Sequence, residues 1–563
     1  MSLSTFDLII VAIYAMALLS IALWVSREPS GHAKDTQDYF LAGKSLPWWA
    51  IGASLIAANI SAEQIIGQSG QGFVVGLAIA AYEWQAALVL LVVAVFFLPV
   101  FLKRGIYTMP QFLETRFGPG VKTIMAIFWI FLFTAVNLTT VLYGGALAIQ
   151  AVTGLGVFTG MTMLAVFALV YSLYGGLKAV ALTDMIQVVI LIFGGLAITH
   201  VVLGMVGGGN GPLAGLSTLT TALPGHFEMI LDRDHPQYSQ LPGIWTLLGG
   251  LWVLHFSYWG FNQYIIQRAL GAESLPVAQR GLAFAALLKF LIPLIVVIPG
   301  IAALWLAQDG LAGLSYDALS QKPDSTYGAL MALMPVGIRG LIFAALIAAI
   351  VSSLASMINS ISTIFTMDIY RDYVRTGSDE QHYVMIGRIT AIVAMMIALF
   401  LAIPLLGAGD SIFQAIQEYT GFVAPGIVAV FLLGFFWKRA NTTGAFALLV
   451  SSVVLSFLFF AAASPDAVGS GLSNGVAGAL APVFNPLLGL ADFSVTDMPF
   501  VVRIWFIFLI CLLVGVVASL VSTPPRPEQP VDLSDINFDT TTGFKISAAF
   551  IIAILIGLYA LLW

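Results

Sequence analysis

The sequence predicts an all-α integral membrane protein with about 14 transmembrane helices, as indicated by its composition, its apolar runs and its charge distribution. Of the 563 residues, 60% are hydrophobic and 9% are charged, whereas a soluble protein has about 25% charged residues. So few charges cannot cover so much apolar surface in water. The composition excludes a soluble enzyme and a disordered chain, and the net charge of −6 without a basic run excludes a nucleic-acid partner.

Cysteine and histidine give no sign of redox or metal chemistry. The single cysteine, Cys511, excludes an internal disulfide and a redox pair, and the six histidines are too scattered for a zinc site. Glu83 and Lys289 could be imagined as an acid–base pair, but nothing in the sequence supplies a nucleophile or a cofactor site. We therefore expect a protein that is not an enzyme.

Apolar runs of about 20 residues, long enough to cross the hydrocarbon of a bilayer, mark the individual helices. The first run, Phe6 to Val25, follows no basic residue and precedes no cleavage site, so we interpret it as an uncleaved span. The spans form one transmembrane domain, 1–563, and are predicted at 6–25, 47–68, 75–102, 123–151, 157–175, 180–204, 244–267, 276–306, 330–367, 386–406, 411–436, 443–463, 500–522 and 546–563.

Lysine and arginine predict which loops face inside, because inner loops carry an excess of these residues. With the first span entering from outside, 17 of the 22 lysines and arginines, Arg268 among them, fall in inner loops. Both termini are therefore predicted to lie outside. The three longest loops are too short for a catalytic domain, and they are 205–243 and 464–499 outside and 523–545 inside.

Two spans carry polar residues at a depth where a helix facing lipid should be apolar. They cluster around Asn59 in the second span and between His255 and Gln263 in the seventh. A helix unwound at mid-membrane can hold such residues, with its free carbonyls lining a cavity. The alternative is a polar face packed against neighbouring helices.

The spacing of these interruptions predicts internal symmetry. Two interrupted spans five apart in order are typical of a transporter built from two inverted five-helix repeats. The repeats would cover 47–204 and 244–436, with one extra helix at 6–25 and three more within 443–563. We expect substrate and ion to bind at mid-membrane, where the interrupted helices meet.

Ser352 and Ser353 form a hydroxyl pair on an otherwise apolar helix. They could simply bond back to carbonyls one turn earlier. Alternatively, hydroxyls and carbonyls together would supply neutral oxygen ligands for a small cation such as Na⁺, which must bind outside and leave inside.

Two further groups combine aromatic rings with hydrogen-bonding side chains, around Glu83 in the third span and around Gln417 in the eleventh. Sugars present apolar ring faces and a rim of hydroxyls, which such groups would match. The alternative for Glu83 is a structural ion pair with Lys289, a charge that is costly inside a span. Asp184, beside a predicted inner loop, is better interpreted as a helix N-cap than as an ion ligand.

Several long polar stretches resemble the solute:sodium symporter family over nearly the whole chain, most weakly after about residue 465. The matching stretches are DYFLAGKSLPWWAIGASLIAANISAEQ (38–64), YEW (82–84), ALVYSLYGGLKAV (168–180), PGHFEMILD (224–232), YWGFNQYIIQR (258–268), AAIVSSLASM (348–357), IFTMDIY (364–370) and IQEYTG (416–421). The resemblance implies a LeuT-type inverted-repeat core. It also implies one Na⁺ site, formed by the carbonyls of Ala57, Ile60 and Ala349 and the hydroxyls of Ser352 and Ser353, with Asp184 on the ion's exit route.

The resemblance also implies the sugar site. Sugar-binding residues of the family carry over onto Asn59, Gln64, Glu83, Lys289 and Gln417, with Asn59 bridging the sugar and ion sites. The inner gate, an aromatic ring stacked on the sugar, is Tyr258 with Trp259 beside it, and the outer lid is formed by Gln68, Tyr82 and Phe413.

Three positions depart from the sugar-carrying relatives. His255 replaces an asparagine that binds the sugar, Ala86 replaces a serine, and Gln68 replaces a methionine of the lid. We keep His255 among the expected substrate-binding residues. Ala355 stands where relatives that take two Na⁺ have a hydroxyl, so we expect one Na⁺ per substrate.

Together these observations predict sodium-coupled symport of a hexose by alternating access, in the plasma membrane (the bacterial inner membrane). Expected partners are the sugar, Na⁺ and the lipid bilayer, and the sequence favours no particular oligomeric state. The alternatives are a symporter of the same family for inositol, a nucleoside, sialic acid or proline, and a sugar-gated sensor or channel.

Overall fold

The computed structural model describes residues 3–27, 34–406, 420–489, 492–527, 529 and 531–563, which form helices and turns without a β-strand. One isolated bridge joins Leu46 and Ala272. In this part of the chain ten helical segments are long and apolar enough to cross a membrane, namely Thr5–Val25, Leu77–Lys103, Pro119–Gln150, Gly175–Val206, Leu275–Gln308, Ile338–Val374, Glu380–Pro404, Thr442–Ala463, Phe500–Val521 and Thr542–Leu561.

The second predicted span is broken, as expected from its polar residues. It consists of the helices Trp48–Asn59 and Ala62–Val74, which meet at an angle of 66°. Ile60 between them is extended, with φ −83° and ψ 113°. The break therefore leaves helix-terminal backbone groups in the interior of the bundle, where water cannot satisfy them.

The seventh predicted span is interrupted as well. Two five-residue helices, Ile244–Leu248 and Leu251–His255, lead into a π-helical turn at Phe256–Gly260. A new helix, Gln263–Leu270, starts after Asn262, whose side-chain oxygen caps it by accepting from the Tyr264 N–H at 3.2 Å. Both interruptions that the sequence predicts are thus present.

Two shorter apolar helices, Val157–Val170 and Ala424–Phe436, correspond to the fifth and eleventh predicted spans. The predicted outside loop 464–499 contains the helix Ser470–Leu488, and the predicted outside loop 205–243 contains the helix Pro212–Ala222. In the described residues neither helix is among the segments long and apolar enough to cross a membrane. Glycine, serine and asparagine make Ser470–Leu488 less apolar than the ten membrane-crossing segments. The total of 14 membrane crossings stays a prediction.

Short helical pieces connect the long ones. The α-helices among them are Thr36–Leu41, Met109–Phe117, Pro212–Ala222, Tyr316–Gln321, Thr326–Ala332 and Pro465–Val468. Short 3₁₀ turns lie at Ala42–Lys44, Leu77–Ala80, Pro224–Phe227, Leu311–Gly313 and Pro323–Ser325. Further π-helical stretches lie at Val93–Phe97, Leu132–Leu138 and Phe365–Val374.

The helix Ile338–Ile364 forms the centre of the bundle and buries almost all of its residues. The backbone N–H groups of Gly337 and Gly340 at its start donate to the Asp7 carboxylate of the first helix at 2.7 and 2.9 Å. This carboxylate satisfies amide donors that a helix N-terminus leaves free.

Glycines bring the Ala62–Val74 helix into backbone contact with Leu275–Gln308. A Cβ added at Gly72 would lie 2.5 Å from the Val297 carbonyl oxygen, and one added at Gly300 would lie 2.1 Å from that of Ser69. Small residues commonly allow such close helix pairs in membranes.

The chain kinks at Gly176, where φ is 59° and ψ is −151°. An added Cβ there would lie 2.3 Å from the carbonyl oxygen of Tyr39. Only glycine tolerates this combination of backbone angles and contact.

We expect Gly176→Ala to lower stability by more than about 1 kcal/mol, because alanine strains the kink and collides with Tyr39. Thermal unfolding of the purified protein in detergent measures this. Gly204→Ala is the matched control, since nothing lies within 4 Å of its added Cβ. An unchanged melting temperature for Gly176→Ala would contradict the expectation.

Candidate functional site

A cavity lies beside the two helix interruptions. Most of the predicted sugar-site residues line it, and these are Asn59, Gln64, Tyr82, Glu83, His255, Tyr258, Trp259 and Lys289. Gln417 and Phe413 lie outside the described residues.

Lys289 provides a positive charge at the cavity wall. Its ammonium donates to Glu83 Oε2 and to Asn59 Oδ1, and it lies 4.6 Å from the centre of the Trp259 ring. The side chains of Lys289 and Glu83 are both 1% exposed. Burying either charge alone would cost several kcal/mol, so the ion pair stabilises the charges, and both partners also face the cavity.

Gln68 lies behind the cavity wall and is fully buried. Its Nε2 donates to Gln64 Oε1 at 2.5 Å and to Glu83 Oε1 at 2.6 Å. Of the predicted lid, Tyr82 thus lines the cavity, whereas Gln68 reaches it through two neighbours.

The π-helical turn of the seventh span brings Tyr258 to the cavity. Its hydroxyl accepts from Asn59 Nδ2 at 3.2 Å, and its ring packs edge-on against Trp259 with centroids 5.2 Å apart. His255 lines the same cavity, and its Nε2 is buried without a hydrogen-bond partner in the described chain. Ala86 is buried but does not line the cavity.

Of the predicted ion-site residues, Ser353 contacts the break of the second span at Ile60. The hydroxyl of Ser353 donates to the carbonyl oxygens of Ala58 at 3.2 Å and Ile60 at 3.4 Å. Ala349 precedes Ser353 by one helical turn and is buried, as is Ala57. The carbonyl of Ala58 was not predicted from the sequence. A hydroxyl and backbone carbonyls are neutral oxygen ligands, the kind of set proposed above for a small cation.

Ser352 points elsewhere, toward Asp184. Its hydroxyl donates to Asp184 Oδ1 at 2.6 Å, and that of Ser54 donates to Oδ2 at 2.5 Å. The interpretation of Asp184 as a helix N-cap is wrong, because it lies inside the Gly175–Val206 helix and is fully buried. Its backbone neighbours are hydrogen-bonded within the helix, so its carboxylate accepts from other helices instead.

The assignment of Arg268 to an inner loop is also wrong, because Arg268 lies in the helix Gln263–Leu270 and is fully buried. Its Nη2 lies 3.9 Å from Asp184 Oδ2, and its Nε donates to Ser54 Oγ at 2.9 Å. Further bonds reach Ser356 Oγ and the Tyr264 carbonyl. The carboxylate of Asp184 supplies a counter-charge for this buried arginine.

Sequence reasoning missed several residues that line the cavity, and these are Glu63, Leu132, Asn137, Leu254, Asn262, Tyr264 and Thr420. Asn137 had a detectable signal, since it is a lone amide in an apolar span and lies in the π-helical stretch Leu132–Leu138. Such stretches are frequent at functional sites. The apolar Leu132 and Leu254 carry no comparable signal.

Comparisons with known proteins identify the family of this chain. The profile of the Sodium:solute symporter family matches residues 39–451. The chain is 48% identical to the sodium/glucose cotransporter of Vibrio parahaemolyticus, an alignment that covers 100% of this chain and 99% of the relative. It is 35% identical to sodium/glucose cotransporter 4 of Mus musculus and 33% identical to sodium/myo-inositol cotransporter 2 of Oryctolagus cuniculus, each over 81% of this chain and 69% and 70% of the relatives, respectively.

Among solved structures, a Na⁺-coupled sialic acid symporter in a substrate-bound, outward-open state has the same fold. The TM-score is 0.75 at 21% sequence identity, over 93% of this chain and 99% of that one. The family match over most of the chain and the full-length relative lead to one conclusion. The chain belongs to the sodium:solute symporter family.

Proposed function

We propose that the protein carries a hexose and sodium inward together, one ion per sugar, by alternating access to one site. The observation that carries the proposal is the contact of Ser353 with the carbonyls of Ala58 and Ile60. Asn59 lies between these two residues, and its side chain lines the cavity. An ion at the break and a sugar in the cavity would act on the same turn of backbone.

The ion site is proposed to consist of the carbonyls of Ala57, Ile60 and Ala349 and the hydroxyls of Ser352 and Ser353. None of these ligands carries a charge, so sodium would be held weakly enough to leave on the inside. On binding sodium, the Ser353 hydroxyl would turn its lone pairs to the ion instead of donating to the carbonyls. Asp184, which already accepts from Ser352, is proposed as the next contact on the exit route.

The sugar is proposed to stack on the Tyr258 ring and to bond to Asn59, Gln64, Glu83, His255 and Lys289, with Gln417 expected from the resemblance. Trp259 would support the inner gate, and Gln68, Tyr82 and Phe413 would close the outer side. Aromatic faces beside amide and charged groups suit a ligand with an apolar ring face and a hydroxyl rim. The sodium/glucose name of the Vibrio parahaemolyticus relative supports a hexose.

Asn59 is the proposed coupling residue. Sodium would order the backbone on both sides of it and thereby fix its side chain against Tyr258 and Lys289. By thermodynamic linkage, sodium then raises sugar affinity by the same factor by which sugar raises sodium affinity. No covalent chemistry is needed, in keeping with a transporter rather than an enzyme.

The membrane arrangement is part of the proposal. Fourteen spans, both termini outside and two inverted LeuT-type repeats at 47–204 and 244–436 would place the two broken helices at mid-membrane. The charge bias of the loops and the positions of the two breaks support this arrangement. We propose the plasma membrane, the inner membrane of a bacterium, as its location.

The driving force is sufficient for uphill uptake. One charge moving through about 100 mV supplies about 2.3 kcal/mol, and a tenfold sodium gradient adds about 1.4 kcal/mol. The total, about 3.7 kcal/mol, supports a sugar concentration ratio of several hundredfold at one-to-one coupling.

We expect purified protein in liposomes to accumulate labelled glucose or galactose only when an inward sodium gradient is imposed. Counterflow against inositol, a nucleoside, sialic acid and proline checks the cargo. A response to proline or sialic acid without a hexose effect would contradict the sugar assignment. Sugar-induced current without sugar uptake would identify a channel or sensor instead.

Ser353→Ala is expected to abolish sodium-dependent uptake while the protein stays folded, because it removes the hydroxyl at the break. Uptake into proteoliposomes and thermal unfolding measure the two effects. Ser456→Ala is the matched control, since this buried hydroxyl has no partner in the described residues and lies on Thr442–Ala463. Full uptake by Ser353→Ala would remove the ion-site assignment.

Tyr258→Ala is expected to reduce transport by at least about tenfold, since it removes the ring on which the sugar would stack. Tyr258→Phe keeps the ring but loses the hydroxyl that accepts from Asn59, so it should retain an intermediate rate. Initial rates at saturating sodium compare the three proteins. An unchanged rate in Tyr258→Ala would exclude a gating role.

A further inference from the structure

Gln68 has an environment that its predicted role as a lid residue does not explain. It is fully buried and does not line the cavity, yet its single amide nitrogen donates to two cavity residues, Gln64 and Glu83. The direction of these two hydrogen bonds can be derived from the charges that surround them.

The charge on Lys289 determines the direction of the hydrogen bond between Gln68 and Glu83. The Lys289 ammonium has only donors and forms an ion pair with Glu83 through Oε2. An ionised carboxylate only accepts hydrogen bonds. Gln68 must therefore turn its NH₂ group, not its oxygen, toward Glu83 Oε1, which lies 2.6 Å away.

The Gln68 amide in turn determines the orientation of the Gln64 amide. The remaining hydrogen of the Gln68 NH₂ group points to Gln64 Oε1 at 2.5 Å. The oxygen of Gln64 is thereby occupied on the side of Gln68. Because Gln64 lines the cavity, its own NH₂ group is the polar group left to face a ligand.

The orientation of the Gln68 amide leaves one of its polar atoms unsatisfied. Its Oε1 is buried and has no hydrogen-bond partner in the described chain. Turning the amide over would bring that oxygen against the Glu83 carboxylate, which is repulsive. The unpartnered oxygen is therefore consistent with an orientation set by the carboxylate.

We infer that Gln68 is a positioning residue that fixes Gln64 as a hydrogen-bond donor to the transported sugar. The hexose would have to present a hydroxyl oxygen as an acceptor to the Gln64 NH₂ group. Gln68 would thus determine specificity although it does not line the cavity. This inference rests on the proposed hexose transport. It adds that the wall of the site donates a hydrogen bond to the sugar at Gln64.

The amide of Asn59 is oriented in the same way, with its oxygen held by a neighbour and its NH₂ group left to donate. The ammonium occupies Asn59 Oδ1, so the Asn59 NH₂ group donates to the Tyr258 hydroxyl at 3.2 Å. One charge thus orients an amide on each half of the broken helix, directly for Asn59 and through Glu83 and Gln68 for Gln64.

The first test compares kinetics of sodium-dependent uptake for the wild type and Gln68→Met, which keeps side-chain length but cannot donate. We expect KM for the hexose to rise about tenfold, the effect of about one hydrogen bond, while the half-saturating sodium concentration changes less than twofold. Gln71→Met, on the same helix and buried, is the matched control and should leave KM unchanged. An unchanged KM in Gln68→Met would overturn the inference.

The second test needs no variant that alters Gln68. Deoxyfluoro hexoses keep an acceptor at one ring position but lose the donor, whereas deoxy hexoses lose both. In the wild type, fluorine should be tolerated within about threefold in KM at one ring position where hydrogen costs about tenfold. Gln64→Glu, which cannot donate when ionised, should make fluorine as poor as hydrogen there.

If no ring position prefers fluorine to hydrogen in a wild type that transports hexoses, the inference fails and the proposed function stands. If the wild type shows no sodium-dependent hexose uptake at all, the proposed function fails first. The wild-type baseline therefore separates the two failures.

Discussion

A helix that stops in the interior of a membrane must find partners for its backbone groups, since each buried group left alone costs about 1–3 kcal/mol. At Ile60 this requirement is met by Ser353 on the central helix, which bonds to carbonyls on both sides of Asn59. The break is therefore stable only against the helix that carries this serine. The same requirement explains why the carbonyls are available to an ion, because a single rotatable hydroxyl is their partner.

The buried charges of Lys289 and Arg268 likewise have partners, because each lies beside a side chain of opposite charge. Lys289 is matched by Glu83, and Arg268 lies beside Asp184. Each pair connects different helices, so the charges hold the bundle together at the depth where hydrophobic contacts do not discriminate between neighbours. The first pair faces the cavity, whereas the second is hydrogen-bonded to Ser54, Ser352 and Ser356.

Much of this could be predicted because the bilayer penalises polar residues so strongly. The clusters around Asn59 and His255 predicted interruptions of their helices, and both spans are interrupted. The pairing of Asp184 with Arg268 could not be predicted, because a hydropathy window assigns a charge at the end of an apolar run to the adjacent loop. The helix Ser470–Leu488 was missed for the opposite reason, since its small and polar residues lower its hydropathy. The direction of the Gln68 amide depends on three side-chain conformations, which no linear pattern encodes.

The glycine contacts between Ala62–Val74 and Leu275–Gln308 have a mechanical consequence. Their backbones touch at Gly72 and Gly300, so neither helix can slide or tilt without displacing the other. Leu275–Gln308 consists of two helices, and each contacts a different half of the broken span. Leu275–Lys289 meets Trp48–Asn59 at Gly52 and Gly281, whereas Ile292–Gln308 meets Ala62–Val74 at Gly72 and Gly300. A change of angle at Ile60 would therefore require a matching change between Lys289 and Ile292, so the two bends are mechanically linked.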